Sequence, residues 1–352
     1  MTRVWDIPVH DSTRVRDVRV ATEEASTRAR LDAHRTAVAA LVATELATNL
    51  LKHAGGGRLV IGLVERPGGA CRGPAVQLVS LDHGPGIRDV TAAMRDGYTT
   101  SEASLGAGLG TCRRISSAFD LYSTRRGTVA VARIGQGTAA QEDMAPACRA
   151  GGVDVPLGRA EHSGDAWSCV RSGSRLTLLL ADGLGHGAKA AQASGTAVAE
   201  LHRAGHLPPA EILHRMHPAL RPTRGAAVAV AQLDTETREL AFAGVGNTGA
   251  RLHTAGAWEH LVSHPGIVGA QFPATVPVRR LPWRAGSLLV LHSDGLPARW
   301  VPPDDPHLLT HDPAVVAAAV LRDASSAASP VRDDTCVAVL ACGHPVRRPD
   351  SA

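Results

Sequence analysis

The chain has 352 residues, more than one hydrophobic core usually fills, so two domains are expected. Only 3% of the residues are aromatic and the formal net charge is +4, with no Lys/Arg run, which argues against a base-stacking platform for nucleic acid. The N-terminus lacks an apolar signal region, and no stretch approaches the ~18 apolar residues of a membrane span. A soluble, cytoplasmic protein with no nucleic-acid and no membrane partner is therefore expected. Cys71, Cys112, Cys148, Cys169, Cys336 and Cys342 include no C-x-x-C pair, so reduced thiols are expected rather than a zinc ribbon or a disulfide framework.

In chain order, residues 4–9 form a short strand. Asp11 or Ser12 caps a helix that runs to about Arg30, and a second helix spans about 31–54. On that second helix Glu45, Asn49 and His53 form one i, i+4 ladder, with Thr44, Thr48 and Lys52 beside it. This polar face is either the solvated side of an amphipathic helix or the wall of a site. Gly55-Gly56-Gly57 ends the helix. Strands follow at 58–64 and 75–82, the latter ending in Asp82-His83-Gly84-Pro85-Gly86. The segment LGAGLG, 105–110, opens a helix expected to run to Phe119, where exposed amides attract phosphate. The dinucleotide fingerprint G-x-G-x-x-G fails at Thr111, and no Walker A motif is present. A hairpin at 121–134 turns at Arg126-Gly127.

ELATNLLKHA, LDHGPGI and YTTSEASLGAGLG resemble the N, G1 and G2 boxes of the gyrase/Hsp90/histidine-kinase-type ATP-binding fold. Within it they resemble the small RsbT-like serine kinases of anti-sigma and stressosome switches, to which DGYTTS ahead of the glycine loop also points. The resemblance implies an α/β sandwich, a mixed sheet with helices on one face, over residues 1–135. It implies ATP with Mg²⁺ as ligand: Asn49 on the ion, Glu45 as general base, and Asp82 on the adenine amino group. Gly84 and Gly86 would leave room for the purine, and Gly106, Gly108 and Gly110 would wrap the phosphates. Positioning and charge neutralisation are most of phosphoryl-transfer catalysis.

Residues 136–150 lack periodicity and are expected as a linker. The second domain, 151–345, alternates strands and helices. A hairpin at 165–180 is followed by helices at 188–203 and 209–216, and by strands at 226–233, 239–244, 250–253 and 287–291. A helix at 313–323 precedes a last strand at 335–340. Acids recur at strand ends: Asp165 at a start, Asp182 and Asp294 each before a glycine, and Asp333 and Asp334 before the last strand. A single Asp-Gly could merely turn the chain, but the recurrence argues for converging carboxylates. With no Cys or His beside them, these suit Mg²⁺ or Mn²⁺ better than zinc. Hydrolysis at a pair of such ions is a known device. His202 and His206, spaced i, i+4 at a fraying helix end, are expected as a surface pair rather than a metal site.

HSGDAW, LLLADGLGHG, GVGNTGA, LHSDGL and RDDT resemble the PPM superfamily of metal-dependent serine/threonine phosphatases, in its SpoIIE/RsbX branch. The whole chain then reads as an α+β protein of two domains, the second an α-β-β-α sandwich with two Mn²⁺ or Mg²⁺ ions. By this resemblance Asp182 bridges the metals and is catalytic, and the Gly183 carbonyl completes one shell. Asp165, Asp294 and Asp333 supply the other carboxylates, with Asp334 the alternative to Asp333, since Thr335 follows directly where D-D-x-T is commoner. Asn247 shapes the substrate approach. The implied function is a bifunctional switch: a serine kinase and a phosphoserine/phosphothreonine phosphatase acting on a STAS-domain anti-sigma antagonist or stressosome-like phosphoprotein, with some gating between them. The alternatives are a first domain that only binds ATP or a partner, and a small-molecule phosphohydrolase.

Overall fold

Strands in both domains are apolar on both faces, so each sheet needs a cover on either side. The structure, a computed structural model, describes residues 3–65, 73–95, 108–136, 148–158, 160–297, 299–325 and 333–342. The first domain contains β1 (Trp5–Val9), α1 (Thr13–Arg28), α2 (Ala33–Ala54), β2 (Gly57–Val64) and β3 (Ala75–Leu81). A single turn α3 (Val90–Ala93), α4 (Leu109–Ile115), β4 (Ala118–Thr124) and β5 (Gly127–Ile134) complete it. Asp11 caps α1 by accepting from the Thr13 amide at 2.8 Å, and Asp32 caps α2 by accepting from the Arg35 amide at 2.7 Å. The helix expected to reach Phe119 stops at Ile115, because Ser116 turns extended and the chain enters β4.

The strands lie in the order β1-β2-β3-β5-β4, and every pairing is antiparallel, which corrects the expected mixed sheet. The connections explain this. Between β1 and β2 the helices α1 and α2 run out and back, returning the chain to the end it left. The crossover from β3 to β4 does set those two strands parallel, but β5 inserts between them.

The second domain contains β6 (Cys148–Val155), β7 (Asp165–Ser172), β8 (Arg175–Gly183), α5 (Ala188–Ala204), α6 (Pro209–Leu220), β9 (Ala226–Asp234) and β10 (Glu239–Val245). It continues through β11 (Gly249–Thr254), β12 (Ala257–Val262), β13 (Arg279–Pro282), β14 (Leu288–His292), α7 (Pro313–Ala324) and β15 (Thr335–Cys342). Two five-stranded sheets form, β13-β10-β9-β8-β7 and β12-β11-β14-β15-β6. Strand β6 begins inside the segment expected as a linker, since its CRAGGVDV sequence carries two glycines and little apolar alternation. Strands β12 and β13 were not expected either: both are largely exposed and their sequences are polar. The β6–β15 register sets Cys148 opposite Cys342, and the two form a disulfide, which corrects the expectation of reduced thiols throughout.

Side-chain alternation orders the layers. In the first sheet Leu59, Ile61, Leu78, Ala130 and Ala132 face α1 and α2, while Val60, Val79, Val129 and Val131 point the other way. That second face packs on α7, which meets Val153, Val290 and Val339 of the β6-containing sheet on its far side. Leu289, Leu291 and Leu340 of that sheet meet Leu176, Leu178 and Phe242 of the next, whose outer residues Leu179, Val228 and Val230 lie under α5 and α6. The second domain is thus the expected α-β-β-α sandwich, with α7 serving both domains. Every residue of α7 from Pro313 to Arg322 is buried, and a helix apolar on all sides must be covered on all sides. Each buried Val or Leu there contributes about 1.5–3 kcal/mol. No helix among the described residues is long and apolar enough to cross a membrane.

Candidate functional sites

In the first domain the polar ladders of α2 face a cavity of about 380 Å³ lined by Glu45, Thr48, Asn49, Lys52 and His53, together with Asp82, Gly86, Gly108 and Thr128. The face therefore lines a cavity, with Lys52 and His53 at its exposed end. Asp82 sits just past the end of β3 and is buried. Its Oδ1 accepts from the Gly84 amide at 2.8 Å and the Thr128 amide at 3.0 Å. Both bonds orient the carboxylate on the cavity wall.

Gly86 takes a left-handed φ of +75°, and a Cβ there would stand 2.0 Å from the Thr124 carbonyl oxygen. Gly84 does not line the cavity; a side chain there would strike Ala54 at 2.8 Å. The glycine is thus required by backbone packing and not by room for a ligand. Gly110 lies buried within α4 and also stays off the cavity wall. Gly106 and the DGYTTS motif fall outside the described residues.

Burial raises the proton affinity of Glu45, partly opposed by the Lys52 charge. Burial and the Glu45 charge push the nearby Cys112 thiol up to about 12, so it remains protonated.

In the second domain the β7–β8 register sets Asp165 directly opposite Asp182. Asp294 follows β14 and Asp333 precedes β15, so adjacent strand ends bring these acids to one place. Burial comes first and then the charges of Asp294, Asp333 and Asp334 in pushing Asp182 up to about 7. Asp165 lies well above its ordinary value, by burial and then by the charge of Asp182. Asp294 is raised by burial and by Asp333, while its Oδ2 accepts from Asn247 Nδ2 at 2.6 Å. Crowded carboxylates raise one another's proton affinity. Asp165 Oδ2 is also buried with no hydrogen-bond partner.

The donor set is all oxygen, which fits a hard divalent ion. Among the described residues no three His, Cys, Asp or Glu side chains are already drawn into a cage around one point, so binding would require the acids to close in.

The two candidates Asp333 and Asp334 are separated by their bonding. Both oxygens of Asp334 are taken: Oδ1 by the Leu157 amide at 2.6 Å and Oδ2 by the Gly164 amide at 2.7 Å. Asp334 is buried and holds the Leu157 and Gly164 amides, whereas Asp333 is exposed and acts on both Asp182 and Asp294. Sequence reading missed Asp154 on β6, whose carboxyl accepts from Ser163 Oγ at 2.6 Å. Burial pushes it up to about 8, against the Ser163 bond and with the Asp334 charge. An acid flanked by valines was the available signal.

His292, Ser293 and Asp294 form no triad: His292 meets Trp300 Nε1 at 3.2 Å and Ser293 Oγ accepts from the Cys336 amide at 2.9 Å. His202 contacts Glu65 of the first domain at 3.0 Å and Ser168 at 3.1 Å. It is a domain contact and not a metal ligand.

The chain thus pairs an α/β domain holding an α2-lined cavity with an α-β-β-α sandwich that gathers acids at its strand ends. Residues 9–134 match the histidine kinase-like ATPase domain, and residues 172–342 match Stage II sporulation protein E (SpoIIE). The chain therefore combines a histidine kinase-like ATPase domain with a SpoIIE domain. Over 81 residues it is 40% identical to the serine/threonine-protein kinase RsbT of Bacillus subtilis strain 168, a match covering 23% of this chain and 56% of that protein. The chain thus spans little more than half the length of that relative. Among solved structures it is similar to RsbX in complex with magnesium, at 20% identity and a TM-score of 0.47 over 55% of this chain and 94% of that one. It is also similar to the SpoIIE phosphatase domain of Bacillus subtilis with a fragment of its regulatory domain, at 16% identity and a TM-score of 0.47 over 94% and 95% of the two chains.

Proposed function

We propose that this chain is a cytoplasmic, bifunctional phosphorylation switch: an ATP-dependent serine kinase joined to a metal-dependent phosphoserine/phosphothreonine phosphatase. The shared partner would be a STAS-domain antagonist or a stressosome-like phosphoprotein of a sigma-factor circuit. The observation that carries the reading is the pairing, in one chain, of the α2-lined cavity with the carboxylates at the ends of β7, β8, β14 and β15. The likeness to a protein named as a serine/threonine kinase supports the first half.

In the kinase domain Asp82, oriented by two backbone amides, would take the adenine amino group, and Asn49 would hold Mg²⁺ against the phosphates. Glu45 stands one turn before Asn49 on the same wall. Its raised proton affinity suits it to accept the proton of a serine hydroxyl. Gly108, at the head of α4, would present its amide to phosphate.

In the phosphatase domain Asp165, Asp182, Asp294 and Asp333, with the Gly183 carbonyl, would hold two Mn²⁺ or Mg²⁺ ions. Those ions would supply charge neutralisation and water activation. The chain's own residues orient the ligands: Asn247 fixes Asp294, and Asp334 ties down the segment that leads into Asp165. Joining both activities raises the effective concentration of a shared partner at each site.

The test is phosphate transfer from ATP–Mg²⁺ to a purified STAS-domain protein, followed by its removal with Mn²⁺. Asn49→Ala should abolish the transfer and Asp182→Asn the removal. If no phosphate is transferred while Asn49→Ala still weakens ATP binding, the first domain only binds nucleotide. Rapid cleavage of free nucleotide phosphates with no action on phosphoproteins would favour a small-molecule phosphohydrolase.

A further inference from the structure

Arg224 stands in the turn between α6 and β9, outside every motif discussed above. Its Nη1 lies 2.8 Å from where a Cβ on Gly185 would stand, so the guanidinium lies directly against the glycine turn that follows Asp182. The backbone on either side of it is fixed. The Gly225 carbonyl accepts from the Leu184 amide at 3.0 Å, and Thr223 Oγ1 accepts from the Gly225 amide at 3.0 Å. Ala226 pairs with Gly183 across β8–β9. The side chain itself is exposed, and none of the ion pairs or hydrogen bonds among the described residues engages it. A long cation without a protein partner, on a base held by backbone hydrogen bonds beside the turn that follows Asp182, is free to receive an anion.

The charges indicate what that is. Two divalent cations would cancel four carboxylates, leaving no surplus positive charge for a phosphomonoester dianion. A guanidinium answers this with a fork that matches two phosphoryl oxygens. Gly185 is the counterpart of the arrangement, since any side chain there would push the guanidinium away.

Resting on the phosphatase reading of this site, we propose that Arg224 holds the phosphoryl group of the substrate against the Asp182–Gly185 turn. It binds and orients the phosphoester and takes no proton.

The test uses the full chain with Mn²⁺, a phosphoserine peptide as substrate, and inorganic phosphate as the binding probe in calorimetry. Arg224→Ala should raise KM and weaken phosphate binding together, by about 10- to 100-fold. Half-saturation by Mn²⁺ and the melting temperature should stay at wild-type values, and Arg224→Lys should recover part of the loss. Phosphate affinity within twofold of wild type in Arg224→Ala would overturn the proposal. So would a loss of Mn²⁺ affinity or thermal stability that accounts for the kinetic defect. If the wild type hydrolyses no phosphomonoester with either metal, the phosphatase reading fails. Weakened phosphate binding in Arg224→Ala would then still uphold the anion-holding role.

Discussion

Arg133 of β5 grips Asp312, the residue that caps α7, with Nη1–Oδ2 at 2.9 Å and Nη2–Oδ1 at 2.7 Å. The pair is largely shielded from solvent and joins the ATPase sheet to the first turn of the helix both domains share. Arg133 Nε also donates to Gln77 at 2.9 Å, and Gln77 donates to the Gly152 carbonyl of β6 at 2.9 Å. Burial alone would raise the Asp312 carboxyl, but Arg133, by charge and hydrogen bond, carries it below its ordinary value, with help from Arg149. At the other end of α7, Arg322 donates to the Gly127 carbonyl at 3.1 Å, so the helix is clamped at both ends.

Removing one partner of such a pair leaves the other buried without its counter-charge. Arg133→Ala is therefore expected to cost about 3 kcal/mol of global stability in denaturant unfolding of the full chain. The double change Arg133→Ala with Asp312→Ala should cost less than the sum of the single changes, by about 1–3 kcal/mol of coupling. The wild type should unfold in one transition, because α7 belongs to both cores. Two well-separated transitions in the wild type would refute the shared core.

Glu65 and His202 form a second bridge between the domains, and its strength should depend on pH. The hydrogen bond that His202 donates to Glu65 comes first both in lowering the Glu65 carboxyl and in raising the imidazole. A raised His contributes fully below its unfolded value, near 6.5, and loses its effect as pH rises through the folded value. A lowered Glu contributes above its unfolded value, near 4.5, and loses its effect as pH falls through the folded one. The bridge is thus strongest between about pH 4.5 and 6.5. Because both side chains are partly exposed, Glu65→Gln should cost less than about 1 kcal/mol at pH 6, and less again at pH 8.5. An equal cost at both pH values would contradict the assignment.

Asp333 and Asp334 should separate in experiment. Asp334→Asn places an amide nitrogen against one of two backbone N–H groups and should lower stability by about 1–3 kcal/mol without metal present. Asp333→Asn should leave the melting temperature of the metal-free protein nearly unchanged while weakening Mn²⁺ binding in calorimetry. The reverse pattern would exchange their roles.

The Cys148–Cys342 disulfide spans a sequence separation of 194 residues and ties together β6 and the last strand. Cys342→Ser, or reduction of the wild type, is expected to cost about 2–5 kcal/mol, read as a lower melting temperature. No difference between oxidised and reduced protein would show that the pairing of β6 with β15 suffices without the bond.

Much of the fold was legible because burial writes itself into local pattern. The apolar run before Asp182 and the cap at Asp11 marked their elements correctly. Strand β6 was not legible, because its glycines carry no side-chain pattern and its partner β15 lies almost two hundred residues away. The antiparallel first sheet was missed for a related reason: strand direction follows from how whole helices return the chain, and no single segment encodes that.

For the candidate sites, residue types and order along the chain singled out Glu45, Asn49, Asp82 and the acids at strand ends, which the structure sets on one cavity wall and at neighbouring strand ends. Nothing in local sequence could choose between Asp333 and Asp334, since the choice rests on which amides of the 157–164 segment reach which carboxylate. Nor could the all-apolar α7 declare its second partner. The sequence by itself determined that this helix must be covered on every side, because apolar surface left in water costs free energy. Only the tertiary structure decided that the cover is the ATPase sheet, because that contact joins residues more than a hundred positions apart.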